Sequence, residues 1–361
     1  MWYNFFINYT WEVFTVIYKN IEIHNVAELL YNEDGSVSFD RVPSCVHRHM
    51  DAPHAYQTVN KANGVELRFI IKGESATIRM STYDNDPETS AAFHVYQGGI
   101  QGRWSDHEVH RHVTGEVQDF VIKRPENMER LREMSKHCGY EFDPEVVRII
   151  FDRSRYKLYD VIGDVAPPTP EQTPSKTLLA YGSSITYGAN SIDMSHSFVS
   201  VIANNLRMDA RNLGMAGSCA IEPEFADYIA ALGEKGKWDI ALLELGINVL
   251  GWDDEKINER VENIIREVAG RNPDKEVFVI SPFYYCGEDF DNDKNPDRWR
   301  KLIPEIVERL KFPNVTYING YDVLDDMYYM SADEVHPNVY GVQRIADVLT
   351  DMIRKRLNEK N

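Results

Sequence analysis

The sequence predicts an α/β protein in which a parallel sheet lies between layers of helices, preceded by an antiparallel β-sandwich domain of jelly-roll type. Its 361 residues are enough to build two hydrophobic cores. A proline-dense stretch at 166–175 divides the chain, because closely spaced prolines exclude helix and central strand. Short β-type runs precede it, whereas strand and helix patterns alternate after it. We therefore place the sandwich at 1–165, the linker at 166–175 and the second domain at 176–361.

The β-type runs before the linker have the length and spacing of sandwich strands. They are bounded by Gly, Asp, Asn and Pro, which favour turns. The predicted strands are Val65–Lys72, Ser75–Met80, Ala92–Gln97, Glu116–Lys123, Val146–Phe151 and Tyr156–Ile162. One short helix is predicted over Glu126–His137, because Met128, Leu131 and Met134 recur at three-residue steps.

After the linker, apolar strands alternate with amphipathic helices. The predicted strands are Thr177–Tyr181, Asp209–Asn212, Ile240–Glu244, Val277–Ile280 and Val315–Asn319. Asp254–Gly270 and Tyr340–Leu357 each place their apolar residues on one helical face. This alternation implies a parallel sheet with right-handed crossovers. The carboxyl ends of the strands then meet at one edge, where ligands bind in such sheets.

Composition limits the partners of the protein. Hydrophobic residues make up 43% of the chain and charged residues 27%, which is typical of a globular protein. The formal net charge of −18 repels phosphate backbones and anionic lipids. We therefore expect no nucleic acid or membrane partner, and a small-molecule or oligosaccharide substrate instead. The sequence leaves assembly into a homo-oligomer open.

The amino-terminal segment and the cysteines indicate a cytoplasmic protein. Met1–Lys19 has no basic leading segment, no uninterrupted apolar run and no small-residue cleavage site. The cysteines are scattered without a CxxC pair, so we expect reduced thiols rather than a disulfide framework. They are Cys45, Cys138, Cys219 and Cys286. A reactive role for Cys219 remains open.

A candidate nucleophile, Ser184, directly follows the strand Thr177–Tyr181. Gly182 lets the chain turn sharply there, so the hydroxyl of Ser184 would be exposed at the carboxyl edge of the sheet. The G-x-S-x-G motif of α/β-hydrolases is not matched, because Thr186 replaces its second glycine. Taken alone, a serine at this place is more often a turn or helix-cap residue.

A candidate base lies in the segment Asp333-Glu-Val-His336-Pro, just before the last helix. A carboxylate three residues before a histidine can accept from one ring nitrogen, which leaves the other to face a serine. The alternative is that Asp333 caps the helix and His336 is an ordinary surface residue.

Two further segments at strand ends can donate hydrogen bonds to the same edge. Asn248 follows the strand Ile240–Glu244 and carries an amide, and Gly217 can present a bare backbone N–H. Either segment alone is typical of an ordinary turn. Together with Ser184, Asp333 and His336, they supply the nucleophile, base, orienting carboxylate and oxyanion donors that acyl transfer requires.

The order Gly-x-Ser, Gly, Gly-x-Asn, Asp-x-x-His-Pro, from Lys176 onward, resembles the SGNH hydrolase family, also called GDSL esterases. The resemblance implies a flavodoxin-like three-layer α/β/α fold and ester hydrolysis without a metal or other cofactor. It implies Ser184 as nucleophile and His336 with Asp333 as its base. The backbone of Ser184, Gly217 and the amide of Asn248 would form the oxyanion hole.

The match has an ambiguity and two departures. Gly214 competes with Gly217 for the second motif, and the Ala-Gly-Ser context favours Gly217. Ser183 replaces the usual Asp of Gly-Asp-Ser, and Val249 replaces the usual Asp after Asn248. Both departures bear on substrate preference more than on activity. The "YGSSITYG" motif behind a β-domain resembles a two-domain subgroup akin to carbohydrate esterases and to acyltransferase-like relatives.

The sequence therefore predicts a serine esterase for short acyl groups, acetyl foremost, on a carbohydrate. The sequence contains no long apolar segment of the kind that forms the lid of a lipase. The alternatives are an acyltransferase with the same residues, or a non-catalytic carbohydrate-binding protein with exposed aromatics such as Trp104 or Tyr96. The loop Tyr284–Trp299 is either a wall of the substrate site or a solvated connection.

A metal site in the β-domain is the less favoured prediction. Its histidines form two clusters, and two of them would share a strand face as zinc ligands do. The clusters are His47, His49 and His54, and His107, His110 and His112. No cysteine pair or HExxH-type helix accompanies them, so we expect no bound metal.

Overall fold

The structure, a computed structural model, describes residues 15–52, 55–83, 91–103 and 111–360. The part before the linker consists mainly of short antiparallel strands. Its elements are β1 (Val16–Tyr18), β2 (Ile21–His24), β3 (Glu28–Tyr31), β4 (Val37–Asp40), α1 (Ser44–His47), α2 (Ala55–Val59), β5 (Glu66–Ile71), β6 (Ser75–Thr82), β7 (Ala92–Gln97), β8 (Ile100–Gln101), β9 (Arg111–His112), β10 (Gln118–Lys123), α3 (Met128–Cys138), β11 (Val146–Phe151), β12 (Tyr156–Ile162) and β13 (Val165–Ala166).

These strands form two antiparallel sheets that face each other. One has the order β1-β2-β5-β11-β7-β8, with β13 beside β5 and β9 beside β7, and the other has the order β10-β6-β12-β4-β3. Their inner faces share an apolar core that includes Phe39, Phe69, Phe93 and Phe151, all fully buried. The predicted β-sandwich is confirmed, because side chains of both sheets interdigitate in one core.

The part after the linker alternates strands and helices. Its elements are β14 (Thr177–Gly182), α4 (Ser184–Tyr187), α5 (Phe198–Asn205), β15 (Asp209–Gly214), α6 (Pro223–Glu234), β16 (Ile240–Glu244), α7 (Asp254–Gly270), β17 (Glu276–Ile280), α8 (Gly287–Phe290), α9 (Asn295–Leu310), β18 (Val315–Ile318), α10 (Gly320–Val323) and α11 (Val339–Lys360). Among the described residues, no helix has the length and apolar character of a membrane span.

The strands β14 to β18 form a parallel sheet in the order β15-β14-β16-β17-β18. This is the flavodoxin-like order, so the predicted fold is confirmed. One face carries α6, α7 and α9 over a core with Trp238 and Trp299, and the other carries α5 and α11. Strands covered on both faces are buried along their whole length and mostly apolar, as β16 and β17 are, each with a single glutamate at one end.

The helix α7 shows why the sequence forms these layers. The side chain of Asp253 accepts a hydrogen bond from Lys256 N–H at 2.8 Å and caps the first turn. Ile257, Val261, Ile264 and Val268 then recur on one face and are fully buried against the sheet. The amphipathic pattern therefore determines which side of the helix packs inward.

The proline-rich segment contains one short helical turn, although the sequence analysis excluded helix there. Pro170–Gln172 form a short 3₁₀ turn, and the side chains of Thr169 and Gln172 cap it reciprocally. Proline is compatible with this turn because the first position of a helix needs no N–H donor. At the other end of the sandwich, β1 lies at a sheet edge, and residues 1–14 lie outside the described residues.

The sandwich contacts the parallel sheet along the free edge of β15. Arg68 of β5 donates two hydrogen bonds to the carboxylate of Asp209, both of 2.7 Å, and one of 2.8 Å to Glu66. All three residues are buried. Burial alone would raise the pKa of Asp209, but the guanidinium beside it holds that pKa below its usual range. A buried ion pair therefore joins the two parts of the protein.

Replacing Arg68 by methionine should destabilise the folded protein by about 3 kcal/mol or more, because it leaves the Asp209 carboxylate buried without its partner. Urea unfolding measures the effect. The matched control is Arg79→Met, which removes an exposed pair with Asp119, and exposed pairs contribute little. Equal losses in the two variants would contradict a structural role for the Arg68 contact.

Candidate active site

Ser184 lies at the turn between β14 and α4. Ser183 caps this short helix, since its Oγ accepts from Ile185 N–H at 3.1 Å. A Cβ on Gly182 would lie 2.5 Å from the carboxylate of Glu244, so only glycine fits before the turn. Ser184 itself is 9% exposed and lines an open cleft. The predicted position of the serine at the carboxyl edge of the sheet is therefore what the structure shows.

The structure brings Ser184, His336 and Asp333 together. The Nε2 atom of His336 lies 2.6 Å from Ser184 Oγ, and its Nδ1 atom lies 2.9 Å from Asp333 Oδ2. Because an ionised carboxylate only accepts, Nδ1 carries the proton and Nε2 is free to accept one from the serine. This hydrogen-bonded chain has the geometry that allows a histidine to take the proton of a serine hydroxyl.

The carboxylate of Asp333 stays ionised in this chain. Its Oδ1 accepts from the backbone N–H of His336 at 2.8 Å and of Val335 at 3.1 Å. Partial burial would raise the pKa of Asp333, but these bonds and the one from the His336 ring hold it well below its usual range. The negative charge is thus available to stabilise a protonated imidazole.

The loop that carries Asp333 and His336 is closed on itself and tied to the nucleophile turn. Met330 and Pro337 form an isolated antiparallel bridge, and Ser331 N–H donates to His336 O at 2.9 Å. The Asn190 amide, beyond α4, donates to Ser331 Oγ at 2.9 Å. The loop with Asp333 and His336 and the turn with Ser184 are therefore held together by direct hydrogen bonds.

Gly217 and Asn248 line the same cleft as Ser184. The Oδ1 atom of Asn248 accepts from Cys219 N–H at 3.1 Å, which leaves its NH₂ group to donate elsewhere. Gly217 has φ +63°, a conformation that favours glycine. Within the described residues, the backbone N–H groups of Ser184 and Gly217 donate to no protein acceptor. Ser184, Gly217 and Asn248 therefore each keep a hydrogen-bond donor available beside this cleft.

Gly214, the competing glycine, has a different position. A Cβ on Gly214 would lie 2.5 Å from Tyr187 Cα, so glycine is required there for α4 to approach β15. Gly214 does not line the cleft, whereas Gly217 does.

The sequence analysis missed Glu244, which holds the nucleophile turn from below. Its Oε2 accepts from Ser183 N–H and Ser183 Oγ, both at 2.7 Å, and from Thr186 Oγ1 at 3.1 Å. Burial raises the pKa of Glu244, although these hydrogen bonds oppose the shift. The signal in the sequence is a single carboxylate at the end of the apolar strand Ile240–Glu244. Ser183, which replaces the usual Asp, is thus bonded to a carboxylate on the neighbouring strand.

The cleft has a volume of about 880 Å³, and both parts of the protein line it. The sandwich contributes Gln57, Thr58, Lys61, Asp152 and Arg153, none of which the sequence analysis singled out. Arg153 is anchored by Nη2, which donates to Ser191 O at 3.0 Å. In the loop Tyr284–Trp299, Tyr285 lines the cleft while Phe290 is largely exposed, so each of the two expectations for the loop holds for part of it.

The other sequence candidates do not join this cleft. Cys219 is buried, which raises the pKa of its thiol well above the usual value and disfavours a reactive thiolate. The ring of Tyr96 is covered by Arg148 at 5.9 Å, and its hydroxyl donates to Ser195 Oγ at 3.0 Å. Tyr96 is therefore a packed residue rather than an exposed platform.

The histidine clusters are only partly described. Across the described ranges, no group of three or more His, Cys, Asp or Glu side chains is placed to hold a metal ion. His47 lies 3.4 Å from a carboxylate oxygen of the buried Asp40. His54, Trp104, His107 and His110 lie outside the described residues.

Residues 180–344 match the model of the GDSL-like lipase/acylhydrolase family. This part of the chain therefore carries a GDSL-like lipase/acylhydrolase domain. The match includes Ser184, Gly217, Asn248, Asp333 and His336. Comparison with curated protein sequences gave no match.

Several solved structures share the two-part fold of this chain. A salicylyl-acyltransferase from a tetracycline biosynthetic pathway has a TM-score of 0.68 at 17% identity, over 91% of this chain and 92% of that one. A putative GDSL-like lipase from Bacteroides ovatus has a TM-score of 0.65 at 17% identity, over 88% and 92%. A family two carbohydrate esterase from Cellvibrio japonicus has a TM-score of 0.64 at 14% identity, over 95% and 97%. At these identities the likeness is one of fold.

Replacing Glu244 by leucine should lower kcat at least tenfold and destabilise the fold, because each buried donor left without an acceptor costs about 1–3 kcal/mol. Glu244→Gln is the matched control, because it removes the carboxyl group but keeps an oxygen that can accept from Ser183. We expect Glu244→Gln to retain kcat within about threefold, since one hydrogen bond contributes only about 1 kcal/mol. Equal damage in both variants, measured by ester hydrolysis and thermal unfolding, would contradict the acceptor role.

Proposed function

We propose that this protein is a serine esterase that removes short acyl groups, acetyl foremost, from a carbohydrate. The observation that carries the proposal is the hydrogen-bonded chain in which His336 lies 2.6 Å from Ser184 Oγ and 2.9 Å from Asp333. A serine alone is a weak nucleophile, and a neighbouring base held by a carboxylate makes it reactive. The family of the C-terminal domain, which includes esterases and acyltransferases, supports the same chemistry.

The reaction follows from this geometry in two halves. Ser184 Oγ attacks the ester carbonyl while His336 Nε2 takes the hydroxyl proton, and the resulting oxyanion accepts from Ser184 N–H, Gly217 N–H and the Asn248 amide. The C–O bond to the leaving alkoxide then breaks as the imidazolium gives it the proton. Water next attacks the acyl-serine, with His336 again as base, and releases the carboxylic acid and free Ser184.

A carbohydrate substrate is supported by the lining of the cleft. The volume of about 880 Å³ exceeds what an acetyl ester needs and suits a sugar or an oligosaccharide. Gln57, Lys61, Asp152, Arg153 and Asn190 offer donors and acceptors for sugar hydroxyls. The fold neighbours include family two carbohydrate esterases, one described in complex with cellohexaose.

An acyltransferase is the second candidate, because the salicylyl-acyltransferase shares the fold over almost the whole of both chains. The two activities differ only in whether water or an alcohol accepts the acyl group. Adding sugar alcohols to an ester assay and measuring the ratio of acylated alcohol to free acid separates them. A ratio of acylated alcohol to free acid above one at millimolar acceptor concentrations would favour the acyltransferase.

The wild-type protein should hydrolyse p-nitrophenyl acetate faster than longer-chain esters, and Ser184→Ala should abolish this activity. Removal of a triad residue from a serine hydrolase typically lowers kcat by about 10⁴-fold or more. Ser195→Ala, a serine outside the cleft, is the matched control and should keep full activity. A chelator should have no effect. Persistent turnover in Ser184→Ala would refute the proposed nucleophile.

Gln57→Trp should separate small from large substrates. Gln57 is exposed on α2 and lines the cleft, so an indole there would obstruct a bulky leaving group but not p-nitrophenyl acetate. We expect kcat/KM for acetylated xylo-oligosaccharides to fall about tenfold or more, because a displaced substrate reacts much more slowly. The value of kcat/KM for the small ester should not change. Tyr56→Trp, on the same helix but outside the cleft, is the control. Parallel losses on both substrates would contradict a sugar site along α2.

A further inference from the structure

The free edge of β15 is covered by side chains of the sandwich rather than by another strand. Every second residue from Ala210 to Ala216, two residues beyond the end of β15, has a carbonyl that faces outward. Each of these carbonyls accepts a hydrogen bond. Their donors are His24 to Ala210 O at 2.7 Å, Asn25 and Arg41 to Asn212 O, each at 3.0 Å, Arg41 to Gly214 O at 3.0 Å, and Thr58 to Ala216 O at 3.3 Å. An edge strand normally leaves such carbonyls to water or to a partner strand.

The last of these bonds, from the Thr58 hydroxyl to Ala216 O, is made to the peptide unit that joins Ala216 to Gly217. A peptide unit is planar and trans, so its C=O and N–H point in opposite directions. Fixing the direction of Ala216 O therefore fixes the direction of Gly217 N–H, the proposed oxyanion donor. A hydrogen bond to the carbonyl also polarises the amide and strengthens its N–H as a donor.

Arg41 connects this hydrogen bond to the rest of the interface. Its guanidinium is completely buried and donates to Lys61 O and Thr58 O in the sandwich, both at 2.9 Å, as well as to β15. Burial lowers the pKa of Arg41 to about 10, so it stays charged at neutral pH. One side chain thus holds the backbone of Thr58 and the strand before Gly217 in a fixed relation.

We propose that Thr58, a residue of the sandwich, is a positioning residue for the oxyanion hole. Its hydroxyl sets the orientation of the Ala216–Gly217 peptide, and Arg41 keeps Thr58 in place. The sandwich is then a structural part of the catalytic centre as well as a wall of the cleft. The inference rests on the proposed function, because it assigns Gly217 N–H to the oxyanion.

The test compares Thr58→Val, which keeps the shape of the side chain but removes the hydroxyl, with Thr58→Ser, which keeps the hydroxyl. We expect kcat on p-nitrophenyl acetate to fall about tenfold in Thr58→Val with KM unchanged, less than the hundredfold or more that follows loss of an oxyanion donor. Thr58→Ser should retain wild-type kcat. Affinity for a boronic acid, which forms a tetrahedral adduct with serine, should fall by the same factor as kcat.

Arg68→Met is the matched control, since Arg68 bonds to the first residue of β15, at the end remote from Gly217. It should lower stability but leave kcat within twofold. Unchanged kcat and boronate affinity in Thr58→Val would overturn the inference, as would equal losses in Thr58→Val and Thr58→Ser, or an equal loss of kcat in Arg68→Met.

Nuclear spin relaxation separates failure of this inference from failure of the proposed function. If the wild-type protein has no Ser184-dependent esterase activity, the proposed function fails, but the hydrogen bond from Thr58 can still be tested. The backbone ¹⁵N order parameter of Gly217 should then be lower in Thr58→Val than in Thr58→Ser, because the peptide is less restrained. Equal order parameters in the two variants would overturn the positioning role whatever the activity.

Discussion

The carboxyl edge of the parallel sheet is the constraint on which the site depends. Neighbouring parallel strands end side by side, so the turns after β14, β15 and β16 are necessarily close in space. These turns carry Ser184, Gly217 and Asn248, and the loop before α11 returns His336 to the same edge. Residues far apart in the chain therefore meet because of strand order, and hydrogen bonds within each turn then set their final geometry.

The nucleophile turn and the oxyanion turn are held by different parts of the protein. Glu244 holds the first from within the sheet, through Ser183 and Thr186. The second lies at the sheet edge, where no strand continues the ladder and the sandwich supplies the missing donors, among them Arg41 and Thr58. The protein has a net charge of −18. Arginines buried at this interface donate hydrogen bonds to carbonyls and carboxylates, which would destabilise the folded protein if they were buried without a donor.

The sequence was sufficient for the fold class and for the residues that meet in the site, but not for their support. Ser184, Asn248 and His336 follow or precede strongly periodic elements, so their place at one edge could be inferred. Thr58 and Arg41 have no such signal, because the carbonyls that they bond at Gly214 and Ala216 lie more than a hundred residues away in the chain. Strands β2 and β4 were missed although their residues alternate between apolar and polar, because each strand is only four residues long and so gives a weak periodic signal.

The central claim is that an acyl group passes through Ser184. Its most direct test is mass spectrometry of the protein acid-quenched during turnover of an acetyl ester. We predict one added acetyl group, located on the peptide that contains Ser184 and absent when that serine is replaced by alanine. Acetyl found only on other residues, or turnover with no covalent adduct in either the wild type or a His336→Ala variant, would contradict it.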